Sequence, residues 1–527
     1  MKKDAIIKAA GIVSLGTLLS RLSGLVRLQV IAYVFGYSEA TDAFWIGFTI
    51  PNLFRSLLAE GALSAAFIPV LSEWLSKKGE KETKSLINNI FTFLILILLV
   101  TTTAGIILAP YYIPYLAFGF RENSPQMNLA IRMTQFMFPF LIFISLAALV
   151  MAALNCKKHF TAPAFAPLMF NVSIILSSLL LASKYGIYSL ALGVVVGGGA
   201  QLLFQIPSFF KKGFTYHFFL SFKDPGLRKI IKLMGPALLG GITLQVNVVI
   251  NRIFASTLSA GSISSLQYAM RLIQFPLGLF AIALSTAIFP TLSTLAAEQK
   301  TQELRDNLSL GIRMVLLVLL PASIGLIMIR EPLISLLFQH GAFLEKDTLM
   351  TSQVLFYYSL GLFSMGEVMV ITRAFYSLQD MVTPVMVSVI ILGLNVLLNV
   401  LLISPLKQGG LALATSISMI VNMFILLFLL RRRLKRIEGK KILFSFLKIV
   451  LITIIMAVGI YLLLKSISIF KEKLSYIIFQ IIQVCFGIAT GIGIFSFLSY
   501  ILKLEEFENI LRIFTKKKLK KDKTNIF

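Results

Sequence analysis

The chain has 527 residues, 57% of them hydrophobic, and a mean hydropathy of +0.88, which excludes an ordinary soluble protein and predicts many apolar spans of about 20 residues. Its formal net charge of +26 is not a nucleic-acid footprint, because the basic residues fall in short loops and in the tail, the pattern that sets membrane topology. Two cysteines, Cys156 and Cys485, and three scattered histidines, His159, His217 and His340, stand in no metal-ligand spacing, so no metal cofactor is expected.

Fourteen apolar segments are expected, with cores near 5–35, 41–75, 85–110, 127–155, 161–183, 186–210, 228–257, 263–296, 306–338, 348–377, 381–405, 409–430, 442–465 and 475–502, an all-α polytopic membrane protein. The first, MKKDAIIKAAGIVSLGTLLS, has the basic start and apolar core of a secretion signal. Arg21 and Arg27 interrupt its continuation and no A-x-A site follows, so it reads as a retained first helix. The basic loops KKGEKETK, CKK, the connection from KKG to RKIIK, RRRLKRIEGKK and the tail KKKLKKDK all fall on the inner side if the N-terminus is inside; both termini are expected to be cytoplasmic.

The expected organisation is an N-terminal six-helix lobe (1–210), a cytoplasmic interfacial connection (211–227), a second six-helix lobe (228–436), two additional spans (437–503) and a basic tail (504–527). The connection carries FTYHFFLSF between basic clusters, which suits a helix or extended piece lying in the interface.

The first two segments hold the unusual charges. A charge at the centre of a span costs roughly 2.5 to 3.5 kcal/mol, yet Arg21, Arg27, Asp42 and Arg55 lie within or beside these spans. Arg21 and Arg27 would point about 120° apart on an ideal helix; Ser23-Gly24 between them suggests a bend or local unwinding that turns both into one cavity. Arg55 follows Pro51, a kink position. The planar guanidinium fork suits phosphate oxygens, so the three arginines read as an anion site. Alternatively each snorkels to an interface or pairs with Asp42 or Glu60.

The two halves look duplicated. SAAFIPVLS at 64–72 and STAIFPTLS at 285–293 lie 221 residues apart, as do Pro163 and Pro384, and Leu190-Ala191-Leu192 and Leu411-Ala412-Leu413. Six-helix repeats enter from the same side, giving parallel repeats with a binding site expected between them. Carried across by 221, Arg21, Arg27 and Arg55 land on Ile242, Val248 and Pro276, so the charges were not duplicated with the scaffold. Arg271, in the eighth segment, would add a fourth guanidinium; beside Tyr268 it also reads as an interfacial arginine.

At SRLSGLVR, ATDAFWIGFTIPNLFRSLLAEGALSAAFIPVLSEW, YAMRLIQFPLGLFAIALSTAIFPTLS and EPLISLLFQHGAF the sequence resembles the MurJ (MviN) family of lipid II flippases, within the MOP superfamily that also holds multidrug and toxin exporters. The resemblance covers nearly the whole chain. It implies a transporter, not an enzyme, with 14 helices in two lobes plus a C-terminal pair. The implied substrate is undecaprenyl-pyrophosphate-linked disaccharide peptide, moved from the inner to the outer leaflet of the bacterial inner membrane by alternating access. Carried over by position, Arg21, Arg27, Asp42, Arg55 and Arg271 match the family's cavity charges, and the last two spans match a groove proposed for the lipid tail.

Two departures matter. Where members often have Asp after the second arginine, this chain has Leu28. Some members hold sodium on acids of the seventh and eleventh helices; here the candidates are Asn247, Asn251, Asn395 and Asn399, and a site without a carboxylate gives up the charge that favours a cation. The competing reading is amides bridging helices. A cation exporter would place acids in the cavity, where arginine predominates; another lipid-linked oligosaccharide flippase remains open. An intramembrane enzyme would need a nucleophile with its base or a metal cluster. A non-transporting scaffold would use the basic tail to bind anionic lipid or partners such as cell-wall synthesis proteins.

Overall fold

Lipid offers no hydrogen bonds to a bare backbone, so apolar runs of this length fold as helices that satisfy themselves. The computed structural model describes residues 3–57, 63–509 and 511; Glu60 and most of the basic tail lie outside the described residues. Among the described residues the regular structure is helical throughout.

Two compact units form, one from the N-terminus to Ser264 with His340–Leu344, the other from Ser265 to Gln339 and from Glu345 onward. Unit 1 contains α1 (Lys3–Phe35), α2 (Glu39–Arg55), α3 (Leu63–Lys77), α4 (Gly79–Leu116), α5 (Pro125–Met137), α6 (Phe140–Cys156), α7 (Thr161–Tyr185), α8 (Tyr188–Leu203), α9 (Ile206–Lys211) and α10 (Pro225–Ser256). After α11 (Ser262–Pro276), which straddles the division, unit 2 contains α12 (Ile282–Ala297), α13 (Thr301–Met328), α14 (Arg330–Phe338), α15 (Glu345–Leu360), α16 (Leu362–Ser377), α17 (Val382–Leu406), α18 (Gln408–Arg433), α19 (Gly439–Ser468) and α20 (Tyr476–Ile501).

Among the described residues, 11 helices are long and apolar enough to cross a membrane, and 12 when α15 and α16, bent by 42°, count as one span. The other two expected spans, near 41–75 and 228–257, fall on α2 with α3 and on α10. Helix starts follow local chemistry. Ser38 accepts from the Thr41 N–H to begin α2, and Asp224, followed by Pro225, accepts from the N–H groups of Gly226 and Leu227 to begin α10.

The duplication shows in the helix boundaries. α7 and α17 each have 25 residues, with both ends displaced by the 221 that separates the sequence motifs. The same displacement relates the ends of α1 and α10, Phe35 and Ser256, of α2 and α11, Arg55 and Pro276, and of α6 and α16, Cys156 and Ser377. Just beyond α2, at Ser56–Leu57, and just beyond α11, at Leu277–Ala281, the chain widens into a π turn. The register therefore holds at the start of the chain, and Ile242, Val248 and Pro276 are the counterparts of Arg21, Arg27 and Arg55.

The connection after α9 is an extended strap rather than a helix. The Asn89 amide brackets the backbone of Ser221, donating to its carbonyl at 2.9 Å and accepting from its N–H at 2.8 Å. Thr92 bonds the Tyr216 hydroxyl and accepts from the Phe219 N–H, both at 3.3 Å. Phe218 and Phe222 stay exposed.

In unit 2 the segment after α20 is tied down by charge. Arg313, buried in α13, donates to Glu505 at 2.8 Å and to the buried Glu506. The Ser445 hydroxyl donates to the same Glu506 oxygen at 3.1 Å. Removing one partner of such a pair strands a buried charge, which costs about 3–5 kcal/mol. Glu506→Ala should destabilise the detergent-solubilised protein by that order, and Glu506→Ala with Arg313→Met should cost less than Glu506→Ala alone, as read by denaturant unfolding.

Candidate functional site

The arginines of α1 are held by its packing on α7. Gly16 allows the two helices to approach: a Cβ there would lie 2.6 Å from the Ala164 carbonyl oxygen. Higher up, the Ser23 hydroxyl donates to the Ser20 carbonyl at 3.0 Å, and the Asn171 amide donates to that carbonyl at 3.0 Å and to the Ser23 hydroxyl at 2.8 Å. This network keeps the stretch between the two arginines helical. The expectation of local unwinding near Gly24 is corrected: α1 runs as helix without interruption from Lys3 to Phe35. Arg21 and Arg27 are both half-buried, and the Arg27 guanidinium lies over the Phe170 ring, 5.5 Å from its centroid.

Arg55 closes α2, half-buried, its Nε donating to Asn52 Oδ1 at 2.9 Å. The next residue, Ser56, accepts from the Gln245 amide of α10 at 2.9 Å, so the start of the π turn is fixed from both sides. In unit 2, Arg271 is half-buried and donates to Gln274 Oε1 at 3.2 Å. Asn52 and Gln274 were legible supports, since a residue three positions away shares a helical face. Phe170 and Asn171 gave no signal, because their contact with α1 exists only once the helices pack.

Asp42 has a different setting. Its buried carboxylate accepts from the Gly261 N–H at 2.7 Å, the Ser264 N–H at 3.0 Å and the Ser264 hydroxyl at 2.7 Å. It thereby caps the start of α11, where the helix dipole also favours an anion. Arg252 reaches the Ile263 carbonyl of the same turn at 3.4 Å. Other turns of unit 1 gather here. The Ala342 N–H donates to the Tyr33 carbonyl at 2.8 Å, the Tyr37 and Phe343 rings meet edge to face at 4.9 Å, and the Gly119 N–H donates to the Ser256 hydroxyl at 3.0 Å. Gly261, at φ +88°, lets the turn pass Tyr37, where a Cβ would stand 2.9 Å from the ring.

The asparagine pairs each bond along their own helix. Asn251 donates to Asn247 at 2.8 Å in unit 1; in unit 2, Asn399 donates to Asn395 at 3.2 Å and Asn395 to Ser418 at 3.4 Å. Among the described residues no group of three or more His, Cys, Asp or Glu side chains is placed to hold a metal ion.

Comparison with known proteins gives one family, described as "Lipid II flippase MurJ", matching residues 31–484. A protein of Buchnera aphidicola subsp. Acyrthosiphon pisum named "Probable lipid II flippase MurJ" is 38% identical over 90% of this chain and 93% of its own. The "Lipid II flippase MurJ" of Burkholderia cenocepacia is 35% identical over 79% of this chain and 82% of its own. A solved structure described as "Lipid II flippase MurJ, inward closed conformation" superposes with a TM-score of 0.77 at 30% identity, covering 93% of this chain and 99% of that one. An inward-facing multidrug resistance MATE transporter of the MOP superfamily shares the fold, with a TM-score of 0.68 at 14% identity, covering 81% of this chain and 98% of that one.

The Asp42 contacts make a checkable claim. Asp42→Ala should loosen the 257–264 turn, seen as faster thiol labelling of a cysteine placed at Ser262. Asp42→Asn, which keeps an acceptor oxygen but loses the charge, should fall between that variant and the parent, and Ser264→Ala should cost about 1 kcal/mol of stability.

Proposed function

The chain belongs to the MurJ family of lipid II flippases, and we propose that it moves its substrate by holding the pyrophosphate on the guanidiniums of Arg21, Arg27 and Arg55, with Arg271 of unit 2 a further candidate in its own unit. It is a transporter of the bacterial inner membrane, spans it many times, and acts on lipid II, the lipid-linked precursor of peptidoglycan. The observation that carries the arginine assignment is their half-burial in apolar helices at positions that the second repeat fills, for the first three, with Ile242, Val248 and Pro276. A scaffold that folds with those residues in one copy has no structural need of charge in the other. Two linked phosphates are the ligand that several guanidinium forks meet best, each fork giving parallel charge-assisted bonds.

The basic loops support an orientation with both termini cytoplasmic. On that reading the gathered turns of unit 1, at 36–38, 117–120, 257–264 and 340–344, lie on the outer side. Asp42 then acts as the latch that keeps this end shut while substrate is loaded from within, and release requires it to let go of Gly261 and Ser264. The exposed apolar side chains of α19 and α20, among them Leu447, Ile454, Phe486 and Ile492, suit the isoprenoid tail.

Replacing Arg27 or Arg55 by Ala should abolish the appearance of lipid II in the outer leaflet at near-normal protein level, and Lys should rescue poorly because a point charge lacks the fork. Full activity of both alanine variants would remove the anion site. For energy coupling, the asparagines bond one another as neutral amides, a weak invitation to sodium, whereas charge carried through part of the membrane field responds by about 2.3 kcal/mol per charge per 100 mV. Collapsing the potential at constant sodium should therefore slow flipping more than removing sodium at constant potential; the reverse ranking would make Asn247, Asn251, Asn395 and Asn399 a coupling site.

A further inference from the structure

Unit 2 buries an acid that the site above does not use. Glu367, in α16, is 1% exposed, and among the described residues neither of its carboxylate oxygens has a hydrogen-bond partner. Packing around it is close. At the adjacent Gly366 a Cβ would stand 2.2 Å from Leu319 and 3.0 Å from Val315 of α13, and 3.3 Å from Ala281 of the π turn. Val370 and Ile371, one turn along α16, are fully buried.

Among the described residues none of the charged and titratable groups on the elements around α16 bonds the Glu367 carboxylate. α12, α17 and the π turn carry none. On α13, Glu303 is in the first turn, Arg305 donates to the Leu434 carbonyl, Asp306 faces Lys441 at 3.7 Å and Arg313 holds Glu505 and Glu506. On α18 the arginines occupy the last turn, where Arg433 donates to Asp380 at 2.8 Å. On α15, Glu345, Lys346 and Asp347 sit at the start, with Tyr357 and Tyr358 towards the other end. On α16 itself Arg373 lies over the Phe289 ring, 5.4 Å from its centroid, and Tyr376 follows in the last turn.

An ionised carboxylate without hydrogen bonds in such surroundings is far costlier than the neutral acid. Nor does the scaffold ask for an acid there. Displaced by the repeat, Glu367 corresponds to Leu146, which packs against the apolar core of unit 1. An acid in a membrane span that the fold neither satisfies nor requires is a functional group in its own right. Its surroundings suit a proton rather than a metal ion, which would demand several oxygen ligands.

We propose that Glu367 carries a proton through the transport cycle, held as the neutral acid in this conformation and released to water when α16 shifts against α13 and the π turn. Only the O–H bond breaks and re-forms: the proton leaves to water on one side of the membrane and is regained from water on the other. The proposal rests on the flippase reading and adds a coupling ion to it.

The test is lipid II transport by the purified protein in liposomes, with a pH gradient imposed while valinomycin and potassium hold the potential at zero. For one proton per lipid, a one-unit gradient should shift the steady-state ratio of lipid between leaflets about tenfold. Glu367→Gln, and Glu367→Leu, which matches the Leu146 of the first repeat, should abolish that shift, with thermal unfolding of each variant confirming that it is folded. If the unaltered protein transports lipid II but ignores the gradient, or if a folded variant keeps the full response, Glu367 is not the coupling group. Absence of lipid II transport by the unaltered protein in every condition would instead overturn the flippase reading.

Discussion

Hydrocarbon supplies neither water nor counter-ions, so each charge kept inside this protein has to be bonded, paired, left at the edge of water or discharged. All four solutions occur. Asp42 is bonded by three donors of one turn. Arg313 is paired with Glu505 and Glu506. Arg21, Arg27 and Arg55 sit half-buried in their helices, Arg55 with its Nε on Asn52 and Arg27 over the Phe170 ring. Among the described residues Glu367 has no donor and no counter-charge in contact, which leaves protonation as its remedy.

The duplication acts as an internal control for this sorting. Residues whose counterparts are apolar mark where the copies differ in chemistry: Ile242, Val248 and Pro276 stand at the addresses of the three arginines, Leu146 at that of Glu367 and Ile263 at that of Asp42. Counterparts can also share a task with different chemistry. Arg313 occupies the address that Thr92 occupies in the first half. Thr92 tethers the strap that follows α9, and Arg313 tethers the segment that follows α20. One position on equivalent helices thus anchors a connecting segment in each unit, by hydroxyl in one and by ion pair in the other.

Much of this was legible before any helix was placed. The spans, the repeat and its offset, and the anomalous arginines all follow from patterns in one dimension, because hydropathy and charge act residue by residue. What stayed hidden depended on packing. Ser23-Gly24 looked like a weak point in α1, but Asn171 of α7 bonds it into a continuous helix. Asp42 read as a cavity charge, and its bonds to Gly261 and Ser264 join positions more than two hundred residues apart. Nothing in the one-dimensional pattern marks Glu367; its burial and lack of hydrogen-bond partners set it apart.

The two π turns carry a historical implication. Such a turn is a rare irregularity inside an α-helix, found most often at functional sites. Here the widening begins at the same address in both copies, at Ser56 and at Leu277. Two independent insertions at one address are a poorer account than one insertion copied along with everything else. A shared address of this kind is what duplication of a half-length chain that already carried the irregularity would leave, whereas the charges at Arg21, Arg27 and Arg55 have no counterpart in the second copy.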